Sequence, residues 1–284
     1  MRRKFFSRRL LLLIPALALM AAALLLPLAN AVVQSISTPE LGPNNYIRLL
    51  TDGATIDIVL RTVAVALSVT VLTALLGYPY AYFMTRTNSG WRLALSLIVL
   101  VPFWTSMMAR NFAWMGILQR NGPVDSVATF VTGEGLVLLG TIVGVTIAMT
   151  QVMLPFMVLP LYSNLAGINR NLLTAAQSLG SSPTKAFWKT YFPLSVPGMI
   201  SGGILVFAMS FGFYVTPALL GSPQEALVAQ LMGQRVLDVL DFGGASALGL
   251  VVLALTLVLI AFADKLGGSV GAIGSSASKK GGVQ

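Results

Sequence analysis

The chain contains neither cysteine nor histidine. Disulfides, thiol nucleophiles, thiolate metal sites, imidazole bases and histidine triads are therefore excluded. No carboxylate pair lies within an apolar run, and Asp57 and Asp241 stand only at the edges of such runs. No catalytic and no metal-ligating residue is expected. There is also no G-x-x-x-x-G-K-[ST] phosphate loop, so the chain cannot handle ATP itself. What remains are aromatic and polar residues set inside long apolar stretches, where they are costly unless they face a cavity or another helix. Trp104, Thr105, Ser106, Arg110 and Asn111 cluster in one stretch, Gln151 interrupts the next, and Ser210, Tyr214 and Thr216 fall in a third. These residue types recognise a solute by hydrogen bonding and by aromatic faces, and they are the candidates to line a path. Arg110 can equally snorkel to the membrane edge, and Trp104 and Tyr214 can serve as packing or interfacial belt residues.

The elements that must carry them are membrane spans. Hydrophobic residues make up 56% of the 284, charged residues 10%, and mean hydropathy is +0.84. A soluble domain carries roughly 25% charged residues, so most of this surface faces lipid. A bilayer core needs about 20 apolar helical residues per crossing. The pattern predicts an all-α membrane protein of six transmembrane helices, near 10–33, 58–83, 93–115, 136–161, 194–216 and 242–263. Residues 1–9 form a basic N-terminus, 10–263 the six-helix domain with a patterned loop at 162–193, and 264–284 a Gly/Ser-rich flexible tail.

Orientation follows from the basic residues. With the N-terminus cytoplasmic, segments 1–9, 84–92, 162–193 and 264–284 hold 5, 2, 3 and 3 Lys/Arg, 13 in all, against 5 on the other side. This bias places both termini in the cytoplasm. The net charge of +9 thus records orientation, since no basic stripe interleaved with stacking aromatics points to nucleic acid. Acidic residues other than Asp264 then fall outside or at the outer edge, as solvated loops or as a weak lure for cations. The first stretch also imitates a signal peptide ending in Ala29-Asn30-Ala31, but its apolar run is longer than a typical signal core, which favours an uncleaved anchor. Gly140 and Gly144 form a G-x-x-x-G pair and Ser201-Gly202-Gly203 offers another close-approach surface. No internal repeat is visible, which disfavours an inverted-repeat carrier.

The loop at 162–193 has a shape of its own. Asn169 or Asn171 can cap a short helix that sets Leu172, Ala175, Ala176 and Leu179 on one face. Gly180 sits where a C-terminal glycine belongs, and Ser182-Pro183 restarts a helix as N-cap and first residue. Phe187, Trp188 and Tyr191 follow before Pro193 leads into the fifth span. The small Ala175-Ala176 step invites a docking partner; the alternative is a helix pair lying on lipid headgroups.

Thr174-Ala175-Ala176-Gln177-Ser178-Leu179-Gly180, then Thr190-Tyr191-Phe192-Pro193 after nine residues, resembles the "EAA" loop of the membrane subunits of binding-protein-dependent ABC importers. Ala175, Ala176, Gly180 and Pro193 match at the family's spacing, while Thr174, Thr190 and Phe192 replace Glu, Ile and Leu. Pro102-Phe103-Trp104-Thr105-Ser106 and the stretch from Gly212 to Gly221 are similar to the spermidine/putrescine permease branch. The resemblance implies a type I importer permease of a bacterial inner membrane. It implies a second permease, related but not identical, two ATP-binding subunits that dock on Thr174–Gly180, and an extracytoplasmic binding protein that delivers a small solute such as a polyamine. ATP and Mg would be used by the partner ATPase, and this chain would bind no cofactor. The competing class is a self-sufficient ion-coupled carrier or channel, which would place ionisable residues at mid-membrane.

Overall fold

The computed structural model describes the backbone of residues 2–169 and 171–279, and the side chains of 14–169, 171–263 and Lys265. All regular structure among them is helical, as lipid demands of a backbone with no water to bond. In chain order the helices are α1 (Arg2–Ser37), α2 (Asn44–Thr51), α3 (Gly53–Arg86), α4 (Ser89–Trp104), α5 (Met107–Leu118), α6 (Pro123–Thr132) and α7 (Ile142–Gly167). There follow α8 (Asn171–Ser178), α9 (Pro183–Ala186), a π-helical turn (Phe187–Tyr191), α10 (Phe192–Phe211), α11 (Val215–Leu220), α12 (Val228–Leu237) and α13 (Phe242–Lys279). The chain divides into two compact units, Met1–Asp57 with Leu231–Ala254, and Ile58–Gln230 with Leu255–Gln284.

Among the described residues five helices are long and apolar enough to cross a membrane: Ile14–Ser37, Gly53–Arg86, Ile142–Gly167, Pro183–Phe211 and Phe242–Ala263. The expected sixth, 93–115, is not a single rod. It breaks after Trp104, and the chain from Met107 departs at 97°. The cause is local. Pro102 brings no amide to the last turn of α4, and Thr105 and Ser106 are extended, with ψ of 153° and 130°. The Pro102 carbonyl is then taken by the Thr105 hydroxyl at 2.6 Å and by the Arg110 guanidinium. At 1.5 Å per residue α4 is ~24 Å long, short of a bilayer core of about 30 Å. The count of six therefore holds only with the bent pair taken as one crossing.

One other span boundary moves, and one helix outruns its span. The fifth span starts at Pro183 and ends at Phe211, not at 216. Pro217 cannot continue a helix through the preceding turn, but it fits the first turn of α11, where its missing amide would have had no partner. The last helix runs past 263 through the segment expected as a flexible tail, as far as Lys279. No proline interrupts 264–279, and scattered glycines weaken a helix without forbidding it.

In the larger unit α7 is the central element, with 61% of its apolar window buried. Met149, Met153 and Met157 on α7 pack with Val65 and Val69 of α3, Val206 of α10 and Leu220 of α11. A second cluster joins Ala81 and Met84 of α3, Val99 of α4, and Val158, Leu161 and Leu165 of α7 to Tyr191. Glycine sets the spacing between α10 and α7. A Cβ on Gly198 would stand 2.5 Å from the Asn164 Cβ, and one on Gly202 would stand 2.9 Å from the Met157 sulfur. The G-x-x-x-G pair, by contrast, is no helix seam. Gly140 lies before α7 at φ +83° with nothing near its missing side chain, and Gly144 closes on the Leu138 carbonyl of the preceding turn. In the smaller unit, the apolar window of α1 buries no residue, and the helix is held by its end. The Asn45 amide donates to the Ser35 and Thr38 carbonyls at 2.9 and 2.7 Å, and the Tyr46 hydroxyl meets that of Ser35 at 2.8 Å.

Gly198→Val should therefore cost about 1–3 kcal/mol through overpacking, read as a lower unfolding temperature in detergent. Gly203→Ala, whose new methyl would meet Thr70 at 3.5 Å and Met157 at 4.0 Å, both ordinary contacts, should leave that temperature nearly unchanged.

Candidate functional site

Asn169, not Asn171, begins the short helix of the loop: its side-chain oxygen accepts from the Asn171 amide at 3.0 Å. Among the described residues α8 has no buried position. Leu173 turns inward against the second core cluster, while Thr174, Ala175, Gln177 and Leu179 are exposed, Leu179 at 88%. The end of the helix is a Schellman cap. The Ser181 amide donates to the Ala176 carbonyl at 3.1 Å and the Gly180 amide to Gln177 at 2.9 Å, with Gly180 at φ +86°. That conformation is the left-handed one that side chains resist. Ser182 then accepts from the Lys185 amide at 3.4 Å and Pro183 occupies the first helical position, as the sequence pattern requires. The result is an apolar knob bounded by two well-capped helix ends.

The knob is mounted on a rigid base that sequence reasoning did not identify. Tyr78 and Tyr82 of α3 meet Phe187, Tyr191 and Phe192 across the root of the fifth span. The Tyr82 ring stands edge-on to Phe187 at 5.7 Å and to Tyr191 at 5.5 Å, and Tyr78 edge-on to Phe187 at 6.3 Å. Arg86 caps the stack, 5.0 Å over the Tyr82 ring and bonded to its hydroxyl at 2.7 Å. The Tyr78 hydroxyl is 3.0 Å from Ser195. Aromatic pairs of this geometry contribute about 0.5–1.5 kcal/mol each beyond area. The signal was present: Tyr78, Tyr82 and Arg86 recur every fourth residue on one face of α3. The π turn was not legible. Pro193 has no amide for the Lys189 carbonyl and its ring crowds that carbonyl. The preceding residues widen so that the Phe192 amide bonds to Phe187 instead. Pro193 thus does not end a helix here but sits within one continuous span.

The candidate path residues separate into groups. Asn111 is 2% exposed and Thr216 fully buried, and the Thr216 hydroxyl donates to the Asn111 oxygen at 2.9 Å. The Asn111 amide in turn donates to Met107 at 2.9 Å. These two join α5 to α11. Gln151 accepts from the Trp114 indole at 3.3 Å. Thr105 and Arg110 stabilise the bend described above, with Ser106 and Trp104 exposed beside it, Trp104 at 85%. Tyr214 is exposed ahead of α11. Ser210 is buried with an unpartnered hydroxyl, and Arg110 Nε is likewise unpartnered. No cluster of three potential metal ligands occurs among the described residues.

The helices of lipid length, with polar residues paired inside them and one exposed, capped turn at Gly180, are those of a membrane protein. Residues 77–270 match the family described as binding-protein-dependent transport system inner membrane component, and the chain belongs to that family. It is a multi-pass inner-membrane protein and a non-catalytic permease component of an ABC importer. It is 30% identical over 221 residues to the spermidine/putrescine transport system permease protein PotB of Escherichia coli (strain K12), covering 76% of this chain and 80% of that one. It is 31% identical over 244 residues to the inner membrane ABC transporter permease protein YdcU of the same organism, covering 81% and 77%. The fold matches a chain of a bacterial alginate ABC transporter in complex with an alginate pentasaccharide-bound periplasmic protein. The TM-score is 0.73, coverage is 93% and 96%, and identity is 18%.

Thr216→Val should destabilise the protein by about 1–3 kcal/mol, because it leaves the buried Asn111 oxygen without a donor. Adding Asn111→Leu should cost less than the sum of the single changes. Thermal unfolding of the three variants in detergent measures the cycle.

Proposed function

We propose that this permease pairs with a second, related but non-identical permease to form a path for a small solute, and that two ATP-binding subunits grip the segment Thr174–Gly180. The observation that carries this reading is the exposed knob on its aromatic bracket. A flexible connection between two spans would need neither the Schellman cap nor the Tyr82–Phe187–Tyr191 packing. An interfacial helix pair would not hold Leu179 on so firm a base. Both termini and the knob face the cytoplasm in this reading, following the bias of basic residues, and ATP and Mg act in the partner subunits while this chain binds no cofactor. An extracytoplasmic binding protein delivers the cargo to the opposite side.

The cargo is a polyamine such as spermidine or putrescine, or a related small organic solute. The similarity to PotB supports this class, as do the exposed aromatic faces of Trp104 and Tyr214, which suit an ammonium group. The carboxylates to neutralise it would come from the second permease.

Gly180 supplies the test. No atom of this chain lies within 4 Å of a side chain added there, so within the permease a substitution acts through the backbone, and Val and Asn present side chains of similar size to a partner. Gly180→Val, which disfavours the left-handed conformation by roughly 1–2 kcal/mol, should abolish binding-protein-stimulated ATP hydrolysis in the reconstituted importer. Gly180→Asn, which tolerates that conformation, should retain most of it. Equal activity in both, or solute flux through the chain alone without ATPase, would overturn the reading.

A further inference from the structure

Within the larger unit, α3, α10 and residues 259–263 of α13 line a groove of about 470 Å³, with Met157 of α7 beneath it. Every wall belongs to a helix long and apolar enough to cross a membrane. Among the residues lining it, Thr70 alone has a polar side chain, and its hydroxyl is taken by the Ala66 carbonyl at 2.7 Å. A buried water needs roughly two to four polar partners, so water has nothing to hold it here. The groove is dry by composition.

Its space comes in part from a glycine that packing does not demand. Gly198 and Gly202 admit no side chain, because Asn164 and Met157 stand against them. At Gly203 a Cβ would meet Thr70 at 3.5 Å and Met157 at 4.0 Å, which are ordinary contacts. Glycine weakens a helix interior relative to alanine, and what it leaves at this position is open volume in the groove. The floor is fixed. Met157 is packed between Gly77 and Gly202, where added Cβ atoms would stand 3.1 and 2.9 Å from its side chain.

The size of the groove selects its occupant. Left empty, it would forfeit the dispersion contacts of every wall. A helix of a neighbouring subunit is roughly 10–12 Å across and rises about 5.4 Å per turn, so a single turn takes up about 400–600 Å³. The groove therefore holds no more than one turn of a helix, whereas a thin, unbranched hydrocarbon chain can follow its length. Its rim opens on the apolar side of the molecule, with Leu67, Val71 and Phe262 51%, 56% and 62% exposed, where the chains of the bilayer lie. We infer that this groove is a binding site for one acyl chain of a membrane phospholipid, seated against Gly203 between α3, α10 and α13. The site is separate from the solute path and from the knob at Gly180, and it makes a lipid a fixed component of this permease.

The permease extracted with its partner subunits in mild detergent provides the test. Because the chain has no cysteine, Val71→Cys and Leu75→Cys each give it a unique thiol that can carry a benzophenone. Leu75 is 65% exposed on α3 but does not line the groove. After extraction and illumination, the label on Val71→Cys should still capture a phospholipid, and the label on Leu75→Cys should not. Gly203→Leu fills the groove, so the phospholipid retained by the wild type in native mass spectrometry should be lost, while Gly203→Ala keeps it. Adding phospholipid back to delipidated protein should raise the unfolding temperature of the wild type by several degrees and leave that of Gly203→Leu unchanged. Capture of another subunit at Val71→Cys overturns the inference, since the groove is then a helix seat. Equal capture at the two labelled positions, or at neither, overturns it as well, as does equal lipid retention in the wild type and a folded Gly203→Leu. The labelled variants keep the test decisive if Gly203→Leu fails to fold.

Discussion

Inside lipid a backbone amide or carbonyl has no water to turn to, so each interruption of a helix in this chain must bring its own hydrogen-bond partners. At the bend after Trp104 the Pro102 carbonyl is met by Thr105 and Arg110. Before Pro193 the ladder shifts by one residue instead of breaking. Between α5 and α11 the pair Asn111 and Thr216 supplies a donor and an acceptor to each other in a fully buried place. Several of the polar residues in the apolar stretches thus have a structural duty, whatever else they do. A polar residue at membrane depth is an invitation to look for a path, but helix breaks compete for the same residue types.

The same economy governs the helix ends of the loop at 162–193. Its two helices are each closed by side chain or glycine, and the second is continuous with a span that α7 grips through Gly198 and Gly202. The loop's second helix thus runs through the π turn into the span with no linker between them. The aromatic bracket adds a second attachment, to α3. The capped turn at Gly180 is thereby tied to α3, α7 and α10 together.

Much of this was legible in the residues. The caps of the loop are local rules written in single positions, Asn169, Gly180, Ser182 and Pro183, and the structure realises each of them. Five spans could be found because long apolar runs leave few alternatives. The bend in the third stayed hidden because a charge-free run looks the same whether straight or bent, and the donors that decide it, Thr105 and Arg110, resemble path residues. The extent of the fifth was obscured by Pro193 and Pro217. A proline ends a helix in one register and fits in another, and only the neighbouring turn decides. The G-x-x-x-G pair misled for a related reason: its first glycine lies outside the helix. The bracket could have been found, since Tyr78, Tyr82 and Arg86 share a face, but its partners come from a segment more than a hundred residues later.

The first helix shows a different kind of independence. From Ile14 to Asn30 its side chains are exposed, and its hydrogen-bonded attachment lies at the last turn, through Asn45, Tyr46 and Ser246. Its free energy in the bilayer is then set by transfer from water and owes little to the packing of its own chain. Such a segment can settle in the membrane as soon as it is synthesised, while the bundle must await α7 and α10 before its core can close.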